Sequence, residues 1–349
     1  MAKPIEICTA PHLKRLQSVE QIMRNVVYAL LPVAAFSVWQ FGISALALIL
    51  TTTVVAMLTE RLFSQLAGRG NTLGDWSVVI SGLLLALTLP PGFPLWMAAV
   101  AAFVAVALGK ALFGGLGFNV MNPALVGRAF VQAAFPVAIT TWTPAFAPGR
   151  FGECIPSTLA VPFMKPESVT PWVNGLNIDG FTGATPLAMQ KFQHIAASTN
   201  DLLFGNVIGS TGEASAILIL AGGLYLAFRR MLDWRIPVGV FAGAALVATP
   251  LWLMNSELYP SPLFVALSGG LMLGAWFMAS DMIASPVTPW GAFVYGALIG
   301  VLSVVIRLFG GLPEGVMYAI LLANAASPLI ASWTQPRVYG ETKRQEGGA

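Results

Sequence analysis

The tetrapeptide Leu112-Phe113-Gly114-Gly115 occurs a second time in this chain, as Leu308-Phe309-Gly310-Gly311. Shorter matches keep the same order around it: Gly82-Leu83-Leu84-Leu85 with Gly270-Leu271-Met272-Leu273, Pro94-Leu95-Trp96 with Thr288-Pro289-Trp290, and Val120-Met121 with Val316-Met317. Self-similarity in a constant order is typical of an internal structural repeat. The sequence therefore predicts two related halves.

The apolar composition identifies the kind of protein in which the repeat lies. Of 349 residues, 56% are hydrophobic and 9% are charged, and the mean hydropathy is +0.76, whereas about 25% of a soluble domain is charged. Continuous apolar runs long enough to cross a bilayer indicate helices rather than barrel strands. We predict ten spans, at 25–41, 43–59, 77–90, 95–112, 120–139, 213–228, 236–253, 262–279, 290–308 and 314–332.

Each copy of the repeat contains five spans, and an odd number inserts the two copies in opposite directions. The predicted fold class is an all-α polytopic membrane protein, with about ten transmembrane helices as two inverted five-helix repeats and a periplasmic insert. Basic residues concentrate on one side of this topology, so both termini are expected in the cytoplasm. The predicted segments are a cytoplasmic N-terminal segment 1–24, repeat one 25–139, the insert 140–212, repeat two 213–332 and a cytoplasmic tail 333–349.

The insert is by far the longest connection between predicted spans, and its prolines and aromatic residues favour a folded segment. It contains Asp179-Gly180-Phe181-Thr182-Gly183-Ala184-Thr185-Pro186-Leu187. Taken alone, these residues predict a helix start, with Thr185 as the N-cap and Pro186 at the first helical position. A helix N-terminus presents free amides and a partial positive charge, which favour a phosphate ester. We expect the threonine hydroxyl in this turn to be accessible.

Polar interruptions at 89–94 and 279–289 separate spans in the two halves. Proline ends a helix and leaves backbone groups free to meet a ligand or water, although both segments also fit simple turns. Arg128 and Asp281 are the candidates for functional charge within the membrane, because such groups normally face a cavity or a partner. Other charged residues lie near span ends, where snorkelling to the interface is the default explanation: Glu60, Lys110, Glu213, Glu257, Arg307 and Glu314.

The insert motif resembles the acceptor signature for covalent flavin, Asp-x-x-Ser/Thr-Gly-Ala-Thr. A wider resemblance covers nearly the whole chain and is to the D subunit of Rnf-type ion-translocating oxidoreductases. It rests on Asp75-Trp76-Ser77, Gly82-Leu83-Leu84-Leu85-Ala86-Leu87-Thr88-Leu89-Pro90-Pro91, Asn119-Val120-Met121-Asn122-Pro123-Ala124-Leu125-Val126-Gly127-Arg128-Ala129-Phe130, Ser280-Asp281 and Ser285-Pro286-Val287-Thr288. The related B subunit of the sodium-pumping NADH:quinone reductase shares the plan but usually has a longer N-terminal arm. One departure is Ala331, where an aspartate would be more usual.

This resemblance implies a flavoprotein that relays electrons in a complex with ferredoxin and NAD as redox partners, coupled to Na⁺ or H⁺ movement. A flavin transferase would join flavin mononucleotide (FMN) through its phosphate to Thr185, in a site that includes Asp179, Thr182, Gly183 and Ala184. Relatives are also thought to hold noncovalent riboflavin toward the cytoplasmic side of the spans. The candidates here are Asn122, Arg128, Asp281 and Thr288, with a structural role for Arg128 equally open.

The implied partners are a periplasmic FMN subunit, the membrane A and E type subunits, the flavin transferase and membrane lipid. The implied location is the bacterial cell inner membrane. The small and scattered net charge of +3 gives no reason to expect nucleic acid, and His12 and His194 do not form a metal-binding pattern. No dinucleotide fingerprint occurs, so the chain alone is not expected to oxidise NADH. A small-solute channel or transporter and a scaffold for other subunits remain alternatives.

Overall fold

The computed structural model describes residues 18–68, 70, 72–164, 166–176, 183–213 and 215–336. Regular secondary structure in these ranges is helical throughout. The α-helices are α1 Val19–Phe41, α2 Ile43–Leu66, α3 Ser77–Thr88, α4 Leu95–Val106, α5 Pro123–Ala134, α6 Pro136–Ile139, α7 Val169–Gly175, α8 Pro186–Gln193, α9 Thr199–Phe204, α10 Ala216–Phe228, α11 Arg235–Met254, α12 Pro262–Leu267, α13 Leu271–Leu273, α14 Pro289–Phe309 and α15 Val316–Trp333. Leu73–Asp75 and Pro156–Leu159 are 3₁₀-helical, and Ala107–Ala111 and Gly274–Met278 are π-helical.

Five described helices, α1, α2, α11, α14 and α15, are long and apolar enough to cross a membrane by length and composition. Shorter apolar helices occupy 77–88, 95–111 and 216–228. Helical segments fall in all ten of the predicted ranges. The polytopic helical membrane class is therefore confirmed, whereas the number of ten spans and the inverted orientation stay predictions.

Helices α11 and α14 form the closest helix pair, because glycines on both let their backbones approach. Each helix has two glycines four residues apart, Gly239 and Gly243 on α11 and Gly296 and Gly300 on α14. A Cβ atom added at Gly243 would lie 2.2 Å from the carbonyl oxygen of Ala297, and one at Gly300 would lie 2.1 Å from that of Val240. Small residues at this spacing allow membrane helices to gain van der Waals contact, which in lipid replaces the hydrophobic driving force.

The insert packs on the ends of helices that face away from the predicted cytoplasmic side. Gly42, between α1 and α2, has a positive φ of 74°, and an added Cβ would lie 1.9 Å from the carbonyl oxygen of Arg150. The backbone N–H of Ile43 donates to that same carbonyl at 3.0 Å. Further along, the hydroxyl of Ser157 donates to the carbonyl of Gly92 at 2.6 Å. Only glycine fits at position 42, so the start of the insert is fixed to the α1–α2 turn.

The two halves meet through corresponding helices, α1 against α10 and α5 against α15. The predicted span at 262–279 contains two helical segments rather than one continuous helix. Helix α12 ends at Leu267, and α13 begins at Leu271 and continues into the π-helical segment. Ser268 is extended and Gly269 has a φ of 62°, a left-handed conformation that ends a helix at little cost only for glycine. This interruption, 268–270, is called the α12–α13 break below.

Candidate functional site

Thr185 caps the N-terminus of α8, as the sequence predicts. Its backbone is extended, and its Oγ1 accepts a hydrogen bond from the backbone N–H of Ala188 at 3.3 Å. The expectation of an accessible hydroxyl was wrong for this conformation, because Thr185 is only 2% exposed. The cause is tertiary packing, since Leu187 in the first turn of α8 is buried with Leu202 and Phe264. In this conformation the Thr185 side chain is covered by neighbouring residues.

A large cavity, here called the outer cavity, opens beside the turn that precedes Thr185. Its volume is about 610 Å³, and its wall includes Gly92 and Phe135 from the membrane half and Trp142, Val173 and Gly183 from the insert. Ligand sites for small molecules and cofactors measure about 300–1,000 Å³ and are mostly apolar, with a few polar groups. The polar groups here include Thr140, Glu167, Thr170 and Asn174. The outer cavity is therefore large enough for a flavin ring system.

Of the other predicted insert residues, Gly183 has a φ of 65° and lines the outer cavity. Ala184 lies between Gly183 and the cap and is half-buried. Asp179 and Thr182 lie outside the described residues. At the other end of α8, the Lys191 ammonium donates to the carbonyls of Gly310 and Leu312. Partial burial lowers the pKa of Lys191 below its ordinary value.

A smaller inner cavity, of about 80 Å³, lies between the two halves near the first turns of α3 and α5. It contains two of the four candidates for riboflavin contacts, Asn122 and Asp281. Asn122 caps α5, where its Oδ1 accepts from Ala124 N–H at 3.0 Å, and its Nδ2 donates to the carbonyl of Met278 at 3.2 Å. The Oδ1 of Asp281 accepts from the backbone N–H of Ile283 at 3.2 Å. The bond from Asn122 to Met278 ties repeat one to the end of the π-helical segment of repeat two, whereas the bond at Asp281 is local.

The remaining two candidates do not join the inner cavity. Thr288 caps α14 by accepting from Gly291 N–H at 3.2 Å, and its hydroxyl lies 2.5 Å from that of Thr334. Arg128 projects elsewhere, donating to the carbonyl of Thr88 and to the carboxylate of Glu314. The proposed grouping of four residues is therefore divided in this conformation, with two residues at the inner cavity and two elsewhere.

Lys110, which lines the inner cavity, forms a buried ion pair with Glu60. The Lys110 Nζ lies 2.8 Å from both carboxylate oxygens of Glu60 and 2.6 Å from the Ser77 hydroxyl. Lys110 is 3% exposed and Glu60 is 5% exposed. Snorkelling was therefore the wrong explanation for these two residues, because each is the other's counter-ion. The exposed Glu257 does lie at the surface, as expected of a residue near a helix end.

Four charged residues from distant parts of the chain gather at the α12–α13 break: Arg128, Glu213, Arg307 and Glu314. We call them the central cluster. Arg307 donates to the carbonyls of Val265 at 2.8 Å and Ser268 at 3.0 Å, and it is 5% exposed. A cavity of about 30 Å³, the central cavity, is lined by Arg128, Arg307 and Glu314 together with Ser210, Gly270 and Thr88. The sequence interpretation missed this group because it assigned three of its members to span ends. The Gly269-Gly270 pair inside an apolar run was the signal that could have located it.

Known proteins resemble this chain over nearly its whole length. The sequence profile of the NQR2, RnfD, RnfE family matches residues 6–340. The chain is 38% identical to the D subunit of an ion-translocating oxidoreductase complex of Alcanivorax borkumensis, over 97% of this chain and 98% of the relative. It is 36% identical to the D subunit of a proton-translocating ferredoxin:NAD(+) oxidoreductase complex of Clostridium ljungdahlii, over 96% of each. It is 38% identical to the Na(+)-translocating counterpart of Acetobacterium woodii, over 97% of this chain and 96% of the relative.

Proposed function

Because the chain belongs to the NQR2, RnfD, RnfE family, we propose that it is the D-type membrane subunit of an ion-translocating ferredoxin:NAD oxidoreductase complex. We place it in the bacterial inner membrane with both termini in the cytoplasm. In this proposal it carries FMN as a phosphoester on Thr185 and relays electrons between partner subunits. Its periplasmic neighbour would be the FMN-bearing subunit of the complex, and the A and E type subunits would share the membrane.

The observation that carries the proposal is the position of the outer cavity next to the Thr185 turn. Gly183 lines this cavity and is two residues from Thr185. A flavin joined through its ribityl phosphate to Thr185 therefore has a cavity of suitable volume beside its point of attachment. Trp142 and Phe135 offer aromatic surface in the same wall, and planar aromatic groups pack favourably against one another.

The start of α8 suits the phosphate of such an ester. Its first free backbone amides and the positive end of the helix dipole favour a negative group at the N-cap. Pro186, at the first helical position, has no N–H that would need a partner there. FMN, when bound, supplies one-electron redox chemistry, and the protein supplies position, electrostatics and exclusion of water. The insert residues around the outer cavity would exclude water from the flavin.

Noncovalent riboflavin fits the structure less well. The inner cavity, which contains Asn122 and Asp281, measures about 80 Å³ and is well below the usual size of a cofactor site. A flavin does not fit there without movement of the lining side chains, which include Trp276 and Phe277.

The proposal is tested by the intact mass of the full chain expressed with and without a flavin transferase. Co-expression is expected to add the mass of FMN less one water, and the denatured protein is expected to fluoresce in a gel under ultraviolet light. Thr185→Val should abolish both signals. Thr199→Val is the matched control, because Thr199 is an exposed threonine at the start of another helix in the same insert.

An unmodified mass in the presence of an active transferase would contradict covalent attachment and would favour the transporter or scaffold alternatives. A Thr185→Val protein that still gains the mass would move the attachment to another residue. Electron transfer by the assembled complex is expected to fail with Thr185→Val and to persist with Thr199→Val.

A further inference from the structure

The central cluster brings together four separate parts of the chain. Glu213 precedes α10, Glu314 precedes α15, Arg128 lies within α5 and Arg307 lies in the last turn of α14. A Cβ added at Gly270 would lie 4.0 Å from the Oε1 of Glu213, which puts this carboxylate at the α12–α13 break. Both acids and both bases therefore meet where the helix backbone is interrupted.

The two acids are not equivalent. Glu314 forms an ion pair with Arg128, whereas the Nη atoms of Arg307 donate hydrogen bonds to backbone carbonyls. Among the described residues, no Lys, Arg or His nitrogen lies within 4.0 Å of the Glu213 carboxylate. A buried carboxylate without a paired charge costs several kcal/mol, and such a group usually takes up a proton instead.

The cluster also leaves hydrogen-bonding atoms without protein partners. Within the described part of the chain, these buried atoms are the Oε1 of Glu213, the Oε1 of Glu314 and the Nε of both Arg128 and Arg307. Buried polar atoms are nearly always paired, by water where protein groups do not reach. The central cavity, at about 30 Å³, exceeds the space that one water molecule requires. Arg128, Arg307 and Glu314 line this cavity, and the Glu213 Oε1 lies 4.0 Å from the Cβ position of Gly270 in its wall, so a water there has donors and an acceptor within the lining and the Glu213 carboxylate beside it.

We propose that Glu213 and Glu314 form a site within the membrane protein that binds a single proton, held on Glu213 and bridged to Glu314 by a water molecule in the central cavity. Glu314 forms an ion pair with Arg128, whereas no such cation partner lies within 4.0 Å of Glu213 among the described residues, so the proton is held on Glu213. The charged and polar groups that face Glu213 are Glu314, Arg128, Arg307 and Ser210.

A proton suits this site better than Na⁺. Two guanidinium groups line the central cavity, and each would repel a metal ion at short range in a medium of low dielectric constant. A proton covalently bound to one carboxyl oxygen keeps no separate positive centre in the cavity. The site also lies under α8, because a Cβ at Gly269 would lie 2.5 Å from Leu187 Cδ1 and 3.1 Å from Arg307 Nη2. A change of charge near the start of α8 would therefore act on the cluster at short range.

The test is infrared difference spectroscopy of the full chain, purified in detergent without a flavin transferase, during a pH titration. The wild type is expected to show the C=O stretching band of a buried, protonated carboxyl group, which disappears as the pH rises and shifts in D₂O. Glu213→Gln should remove this band. The matched control is Glu257→Gln, an exposed glutamate on the α11–α12 connection, which should leave the band unchanged.

Glu314→Gln should move the midpoint of the band while retaining it, a result that a merely structural role would not produce. A band that survives Glu213→Gln, or a wild type with no such band at any pH, would overturn the proposal. A band that vanishes on addition of Na⁺ at constant pH would assign the site to the metal ion and would also overturn it. Because the neutral amide leaves no unpaired charge, Glu213→Gln should fold, and its apparent unfolding temperature checks this.

Discussion

Replacement of Gly243 by alanine tests how closely the backbones of α11 and α14 approach each other. The added Cβ would lie 2.2 Å from the carbonyl oxygen of Ala297, which is 0.8 Å inside the closest approach of 3.0 Å that Cβ atoms tolerate. The contacted atom belongs to the backbone of the opposing helix, so no side-chain rotation relieves the overlap. The two helices must separate, and overpacking of this kind costs about 1–3 kcal/mol.

For a chain of this size, about 1 kcal/mol corresponds to roughly 2 °C in unfolding temperature. We therefore expect Gly243→Ala to unfold roughly 2–6 °C below wild type in the same detergent, at one fixed scan rate because membrane proteins commonly unfold irreversibly. Gly311→Ala is the control, since a Cβ at Gly311 meets nothing within 4 Å. Equal unfolding temperatures for the two variants would refute the close approach.

Three other changes follow from the same structure. Lys110→Met should lower the free energy of unfolding by about 3–5 kcal/mol, because it leaves the buried Glu60 carboxylate without its counter-ion. In thermal unfolding, the double variant Glu60→Met/Lys110→Met should recover much of this loss. A double variant with no recovery would argue against the ion pair. Thr185→Val should lower the free energy of unfolding by about 1 kcal/mol because it removes the helix cap, whereas Thr185→Ser keeps the capping hydroxyl and should lower it little. Equal losses for the two variants would contradict a capping role for Thr185. Since the pKa of Lys191 is lowered, its protonated form is disfavoured in the folded protein. The wild type should therefore gain thermal stability relative to Lys191→Met as the pH rises from the lowered pKa to the ordinary value. A stability difference between the two proteins that falls over this pH range would contradict a lowered pKa.

Much of the fold could be predicted because its causes are local. Apolar runs identified helices in all ten expected ranges, and the Thr185-Pro186 pair identified the start of α8, since both signals lie within a few neighbouring residues. The apolar run at 262–279 did not reveal that this span is interrupted. The interruption depends on the φ of 62° at Gly269, a backbone conformation that an apolar pattern does not report.

The candidate site could be predicted only in part, because burial depends on contacts between distant segments. The sequence singled out Thr185 and Gly183, but it could not show that packing of Leu187 would bury the hydroxyl or that the outer cavity would form beside it. It also grouped Asn122 and Arg128 in one site. Asn122 caps α5 and Arg128 lies six residues later within it, so the helix turns them toward different neighbours.

By itself the sequence determined that this is a helical membrane protein with an internally repeated pattern and a helix cap at Thr185. Those properties depend on composition and on residues a few positions apart in the chain, so they do not require contacts between distant segments. Only the tertiary structure decided which charges are buried and which partner each one has. Arg128 meets Glu314 across 186 positions of the chain and Lys110 meets Glu60 across 50. The energy of a charge in a membrane protein depends on its nearest counter-ion and on exclusion of water, and the three-dimensional packing sets both.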